Sequence, residues 1–149
     1  MLQAVLFDLD NTLLLNDTHR FMKGYLSLLR QHVPSGFDPD IFVQEVLYCT
    51  QLMMTNEDTA VSNRDTFLTA FSERINSERA ALKAFFDQFY REQFPKLQSL
   101  TGINPRTADL IQICFEANLK VVIATNPVYP RQAIEYRLEC PCQPSTMLW

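Results

Sequence analysis

The sequence predicts an α/β protein in which a partial parallel-sheet core is interrupted by a long all-helical insertion. Three observations carry that class. Two short, nearly continuous apolar runs stand far apart, AVLFDL at residues 4–9 and KVVIATN at 120–126. Almost everything between them has helical periodicity, and a helix leads directly into the second run. Continuous apolar runs suit strands buried on both faces of a parallel sheet better than alternating surface strands. A strand, about four helices, then a helix and a strand is the order such an interrupted unit produces.

The elements follow in order. The run at 4–9 ends in acid and turn residues, as a buried strand does. Polar cap candidates at 16–18 precede Phe21, Met22, Tyr25, Leu26, Leu29 and Val33, spaced by threes and fours as in a helix with one apolar face. Asp38-Pro39 is a helix start, with Asp as N-cap and Pro at the first helical position, leading into Ile41, Phe42, Val46, Leu47 and Leu52. Ser62, with Asp65 three residues on, opens a third helix carrying Phe67, Leu68, Phe71 and Ile75. A fourth carries Leu82, Phe85, Phe86, Phe89 and Phe94 and stops at Pro95. Asn104-Pro105 starts a fifth, with Leu110, Ile111 and Cys114, and Pro130 opens a sixth through Ile134 and Leu138. The runs at 4–9 and 120–126 are the two expected strands, and the aromatic stripes read as core.

Composition narrows the class of function. The 149 residues are 47% hydrophobic with only 3 Gly, a folded rather than disordered profile. Thirteen Lys+Arg against 17 Asp+Glu give a net charge of −4 without a basic cluster, which argues against a nucleic-acid or anionic-membrane surface. No apolar run approaches the roughly 18 residues of a membrane helix, and MLQAVLFDLD lacks the basic start of a signal peptide. A cytoplasmic protein is expected. Cys49, Cys114, Cys140 and Cys142 show no metal or redox spacing and read as buried or incidental thiols.

The chemistry concentrates at the ends of the two strands. Asp8 and Asp10, two residues apart at the carboxyl end of the first, would project to one side. Ligands of open parallel sheets bind outside the carboxyl ends of the strands. Two such carboxylates repel unless a cation neutralises them. Mg²⁺ is the natural guest, because it takes one or two carboxylates together with water and phosphate oxygens. A pair of solvated strand-end acids is the plainer alternative, less apt for two acids inside an apolar FDLDNTLL segment.

The string Phe7-Asp8-Leu9-Asp10-Asn11-Thr12-Leu13-Leu14 resembles the first signature of the haloacid dehalogenase superfamily of phosphohydrolases. Val122-Ile123-Ala124-Thr125-Asn126 resembles its second, a strand ending in Ser or Thr. The resemblance implies a partial Rossmann-like parallel-sheet core built from residues 1–16 and 96–139. A helical cap over 17–95, like that of phosphoglycolate-phosphatase-like members, and an irregular tail at 140–149 complete the chain. It implies that Asp8 is the nucleophile that forms an aspartyl-phosphate. Asp10 would act as acid and then base. Asp8 and the Asp10 backbone carbonyl would hold Mg²⁺. Thr125 and Asn126 would bind the transferring phosphoryl group, and Thr12 would orient the loop after the nucleophile. The implied substrate is a small phosphorylated metabolite, selected by a cap that closes over the site. Arg20, Lys23 and Arg64 are candidate substrate contacts, with solvated surface charge as the plainer alternative.

The pattern also departs from the family, which carries a later Lys and a later acidic pair. The 24 residues after Thr125 contain no Lys and no Asp, only Glu135 and Glu139. A parallel crossover alone consumes a dozen residues, so the later signatures are absent from this stretch. CPCQPSTMLW reads as unrelated sequence joined on, by a frameshift, an alternative exon or a premature stop. The expectation is a magnesium-dependent phosphohydrolase with impaired turnover. The alternative is a non-catalytic module that binds a phosphorylated ligand or a partner protein. A sheet with an unpaired edge would favour self-association.

Overall fold

In the computed structural model of the chain, residues 2–138 are described, and they form a mixed α/β structure that is mostly helical. The element order is β1 (Ala4–Phe7), β2 (Leu14–Asn16), α1 (Thr18–Gln31), α2 (Pro39–Met54), α3 (Asn63–Arg74) and α4 (Arg79–Glu92). A 3-10 helix (Phe94–Leu100), β3 (Thr101–Ile103), α5 (Thr107–Glu116), β4 (Lys120–Ile123) and α6 (Arg131–Leu138) follow. β1 and β4 pair in parallel, with Ala4 opposite Lys120 and Phe7 opposite Ile123. Both expected strands are therefore present and adjacent, though each stops short of its apolar run. The tail at 140–149, with Cys140, Cys142 and also Glu139, lies outside the described residues.

A second, antiparallel pair was not expected. β2 and β3 form a short ladder that sets Leu14 against Ile103 and Asn16 against Thr101. Each is three residues long, too short for an alternation to register in the sequence. This pair ties the segment after β1 to the segment after the 3-10 helix, 85 residues apart in the register of Asn16 and Thr101.

Local chemistry fixes the helices. The Asp17 carboxylate accepts from Arg20 N to start α1. Asp38 accepts from both Asp40 N and Ile41 N, with Pro39 inside the first turn of α2. Ser62 and Asp65 cap α3, the Ser62 hydroxyl accepting from Asp65 N at 3.1 Å and donating to the Asp65 carboxylate at 2.7 Å. Pro95 does not end the helical run. It sits in the first turn of the 3-10 helix, where its missing N–H costs nothing. α5 closes through Asn118, at φ 54°, and Leu119 N donates to Cys114 O at 2.9 Å, which turns the chain into β4.

Two apolar clusters result. The larger joins α1, α2, α3, α4 and the 3-10 helix around Phe21, Phe42, Phe71, Phe89 and Phe94, and it also takes in Ala133 of α6. The buried stripe of α2 is Phe42, Val46, Cys49 and Met53. Ile41, Leu47 and Leu52, expected inside, are 58%, 44% and 39% exposed, because one face of a helix cannot hold residues a single step apart. The smaller cluster packs Leu9, Leu13 and Leu14 against Ile111 and Leu138 beneath the parallel strands. Cys49 and Cys114 are buried free thiols. No helix among the described residues is long and apolar enough to cross a membrane.

Candidate functional site

The parallel register brings the two strand ends together. Phe7 stands opposite Ile123, and Ala124 N donates to Phe7 O at 2.8 Å, so the chain leaves both strands at one edge. Asp8 follows β1 there and is exposed, while Thr125 (half-buried) and Asn126 (exposed) follow β4. Asn126 O accepts from Val128 N at 2.8 Å, which curls the post-strand loop back on itself.

The segment between Asp8 and Asn16 is held by its own backbone. Leu9, wholly buried, presents its carbonyl to Leu13 N at 3.1 Å and Leu14 N at 2.9 Å. Asn11 adopts φ 58°, a left-handed conformation that Asn tolerates better than most residues, and its side-chain carbonyl accepts from Asn16 N at 3.2 Å. The buried Thr107 hydroxyl and Asn104 N both donate to Leu13 O, at 2.8 and 3.0 Å. Asn104 also donates through its side-chain amide to Thr12 O at 2.9 Å. Thr12 thus serves the loop through its carbonyl, with its side chain exposed.

Asp10 is half-buried, and its carboxylate has partners. Arg137 donates to both oxygens, one of these bonds at 3.3 Å, and Asn16 Nδ2 donates to Oδ1 at 3.0 Å. Burial alone would push the Asp10 carboxyl up. The Arg137 and Asn16 hydrogen bonds, with the Arg137 charge, outweigh burial and hold it below the usual carboxylate range. Arg137 itself is buried, and its guanidinium lies 4.9 Å from the centre of the Phe21 ring. The strand argument that Asp8 and Asp10 point the same way does not carry over, because β1 ends at Phe7 and both acids lie in the turn beyond it.

Arg137 was missed by sequence reasoning, as were Asn16, Asn104 and Thr107. One signal was legible: Arg137 falls four residues after the buried Ala133 on the same face of α6. A charge at that position needs a buried partner. Arg20 and Lys23 are exposed, as solvated surface charge would be, whereas Arg64 lines a cavity described below.

The donor set can be tested against Mg²⁺. Asp8 offers one exposed carboxylate, and both Asp10 oxygens are engaged by protein donors. Among the described residues no group of three or more His, Cys, Asp or Glu is placed to hold a metal. One carboxylate with a backbone carbonyl fits the water-rich, phosphate-assisted coordination that Mg²⁺ accepts. No protein-family model matches the chain, and no curated protein matches it either.

Proposed function

We propose that this chain is a phosphohydrolase of the haloacid dehalogenase type, acting on a small phosphomonoester. The observation that carries the reading is the parallel pairing of β1 with β4, which joins the FDLDNTLL and VIATN segments at one sheet edge. In this reading α1–α4 form the helical cap, and the two-stranded parallel sheet is part of a Rossmann-like core.

The Asp8 carboxylate attacks phosphorus as the bond to the leaving alcohol breaks, giving an aspartyl-phosphate and an alcohol that takes up a proton. The Thr125 hydroxyl and Asn126 amide donate to the phosphoryl oxygens, where negative charge builds up. Asp8 and the Asp10 carbonyl would hold Mg²⁺, which when bound supplies charge neutralisation at the phosphoryl group. Asp10 must carry a proton to serve as acid. Its partnership with Arg137 and Asn16 opposes that. Turnover should therefore be slow.

The engaged Asp10 favours a second reading, a non-catalytic module that binds a phosphorylated ligand at the same edge. Hydrolysis of p-nitrophenyl phosphate with Mg²⁺, beside orthophosphate binding by calorimetry, separates the two. The hydrolase reading expects slow, magnesium-dependent release that Asp8→Asn abolishes. The binding reading expects orthophosphate binding weakened by Thr125→Ala, with no release. A chain that does neither overturns both.

A further inference from the structure

A cavity of about 790 Å³ opens between the helical cluster and the loop that follows β4. Its walls come from α1, α2, the largely polar connection at 56–62, α3, α4 and residues 127–131. Tyr25, Phe67, Phe86, Tyr90 and Tyr129 supply aromatic surface, with Phe67 and Phe86 5.3 Å apart and Tyr25 and Tyr129 5.4 Å apart, both pairs edge-on. Ligand pockets of roughly 300–1,000 Å³ are typically apolar with a few placed polar groups, and this cavity has that character.

The charged lining residues are largely self-satisfied. Arg64 and Lys83 both pair with Asp87, and Arg131 pairs with Glu135 of its own helix. With Glu57 and Asp58 also in the lining, three acids stand against the three cations, so the cavity holds no net positive charge to receive an anion. The Tyr25 and Tyr90 hydroxyls meet at 3.0 Å, so one O–H of the two remains to donate. The cavity adjoins the loop that carries the phosphoryl edge, since Pro127 and Val128 line it and directly follow Thr125 and Asn126. Asn63 of α3 donates to Pro127 O at 3.5 Å and joins the helices to that loop.

We infer that this cavity receives the aromatic body of a phosphomonoester whose phosphate lies at Thr125 and Asn126. The position of the phosphate rests on the function proposed above. The preference for an aromatic body rests on the cavity alone. Against the aromatic part of these walls a polyhydroxylated metabolite would lose hydrogen bonds to water, whereas an aromatic body exchanges water for ring contacts.

Calorimetric titration of the full chain with 1-naphthyl phosphate, 1-naphthol, glycerol 3-phosphate and orthophosphate tests this. 1-Naphthyl phosphate should bind at least about tenfold more tightly than glycerol 3-phosphate or orthophosphate. Leu47→Glu and Val61→Glu, at lining positions already 44% and 42% exposed, should weaken it about tenfold and leave orthophosphate binding unchanged. Equal affinity for the three phosphates, or indifference to both substitutions, overturns the inference. If naphthol binds as well as its phosphate and both lining substitutions weaken it, the aromatic cavity stands and the phosphoryl edge is what fails.

Discussion

Arg137 carries more at the level of single residues than any side chain the motifs single out. Its guanidinium is buried, faces the Phe21 ring and donates to both Asp10 oxygens, linking α6 to the loop after β1. Removing one partner of such a pair leaves the other incompletely solvated. Asp10 remains 38% exposed, so water screens the pair and keeps the loss toward the low end. Arg137→Met should destabilise the chain by about 2 kcal/mol in urea unfolding, and the double variant with Asp10→Asn should lose less than the two single variants together. Strict additivity would show that the contact contributes nothing.

The tyrosines give a pH dependence at the same scale. Burial pushes the Tyr25 hydroxyl up from the ordinary 10.0 to about 12, even though the hydrogen bond with Tyr90 pulls the other way. Burial, then the charge and hydrogen bond of Tyr25, raise Tyr90 well above the ordinary range as well. A folded-state value above the unfolded one means that the unfolded chain gives up its proton first. Stability is therefore complete below about pH 10 and falls as the pH climbs toward 12, by on the order of 3 kcal/mol from Tyr25 alone. Thermal unfolding followed from pH 8 to 12 should show this fall, shallower in Tyr25→Phe. An identical fall in that variant would assign the effect to other groups.

Among the elements, helix starts were the most legible part of the sequence, because a cap is written within four residues. Asp38 shows why: its carboxylate meets Asp40 N at 2.8 Å and Ile41 N at 3.0 Å. Asp38→Ala should cost about 1 kcal/mol. α4 supplies the converse, since Glu78 at its N-cap makes no side-chain cap hydrogen bond. Glu78→Ser should gain about 0.5–1 kcal/mol, and urea midpoints check both signs. What the sequence hid is non-local. Leu14–Asn16 and Thr101–Ile103 become strands only because each finds the other across the intervening helices. The Asp10–Arg137 contact spans 127 positions and leaves no local pattern. The strand-end edge was legible through its two apolar runs, but the turn geometry after Phe7, which decides where Asp8 and Asp10 face, was not.

For the molecule as a whole, the two-stranded parallel sheet poses a physical problem. Parallel strands are ordinarily covered on both faces. Here Leu9, Leu13 and Leu14 fill one apolar cluster with Ile111 and Leu138, yet Leu6 is 64% and Val122 43% exposed. These two stand opposite each other in the register, so their side chains form one apolar strip. Fully burying such a side chain is worth about 1.5–3 kcal/mol, and the part of Leu6 and Val122 still open to water keeps about half of that each, a drive toward any apolar face that covers them. The full chain should therefore associate with itself as its concentration rises, with weight-average mass from light scattering climbing above that of a monomer. Leu6→Lys with Val122→Thr places a charge and a hydroxyl on the strip and should return the mass to the monomer value. Because both positions are already open to water, that double variant should keep its urea midpoint close to the parent's. A mass that rises just as steeply in the double variant would locate the self-association elsewhere, and a parent that stays monomeric would show that the strip is covered within a single chain.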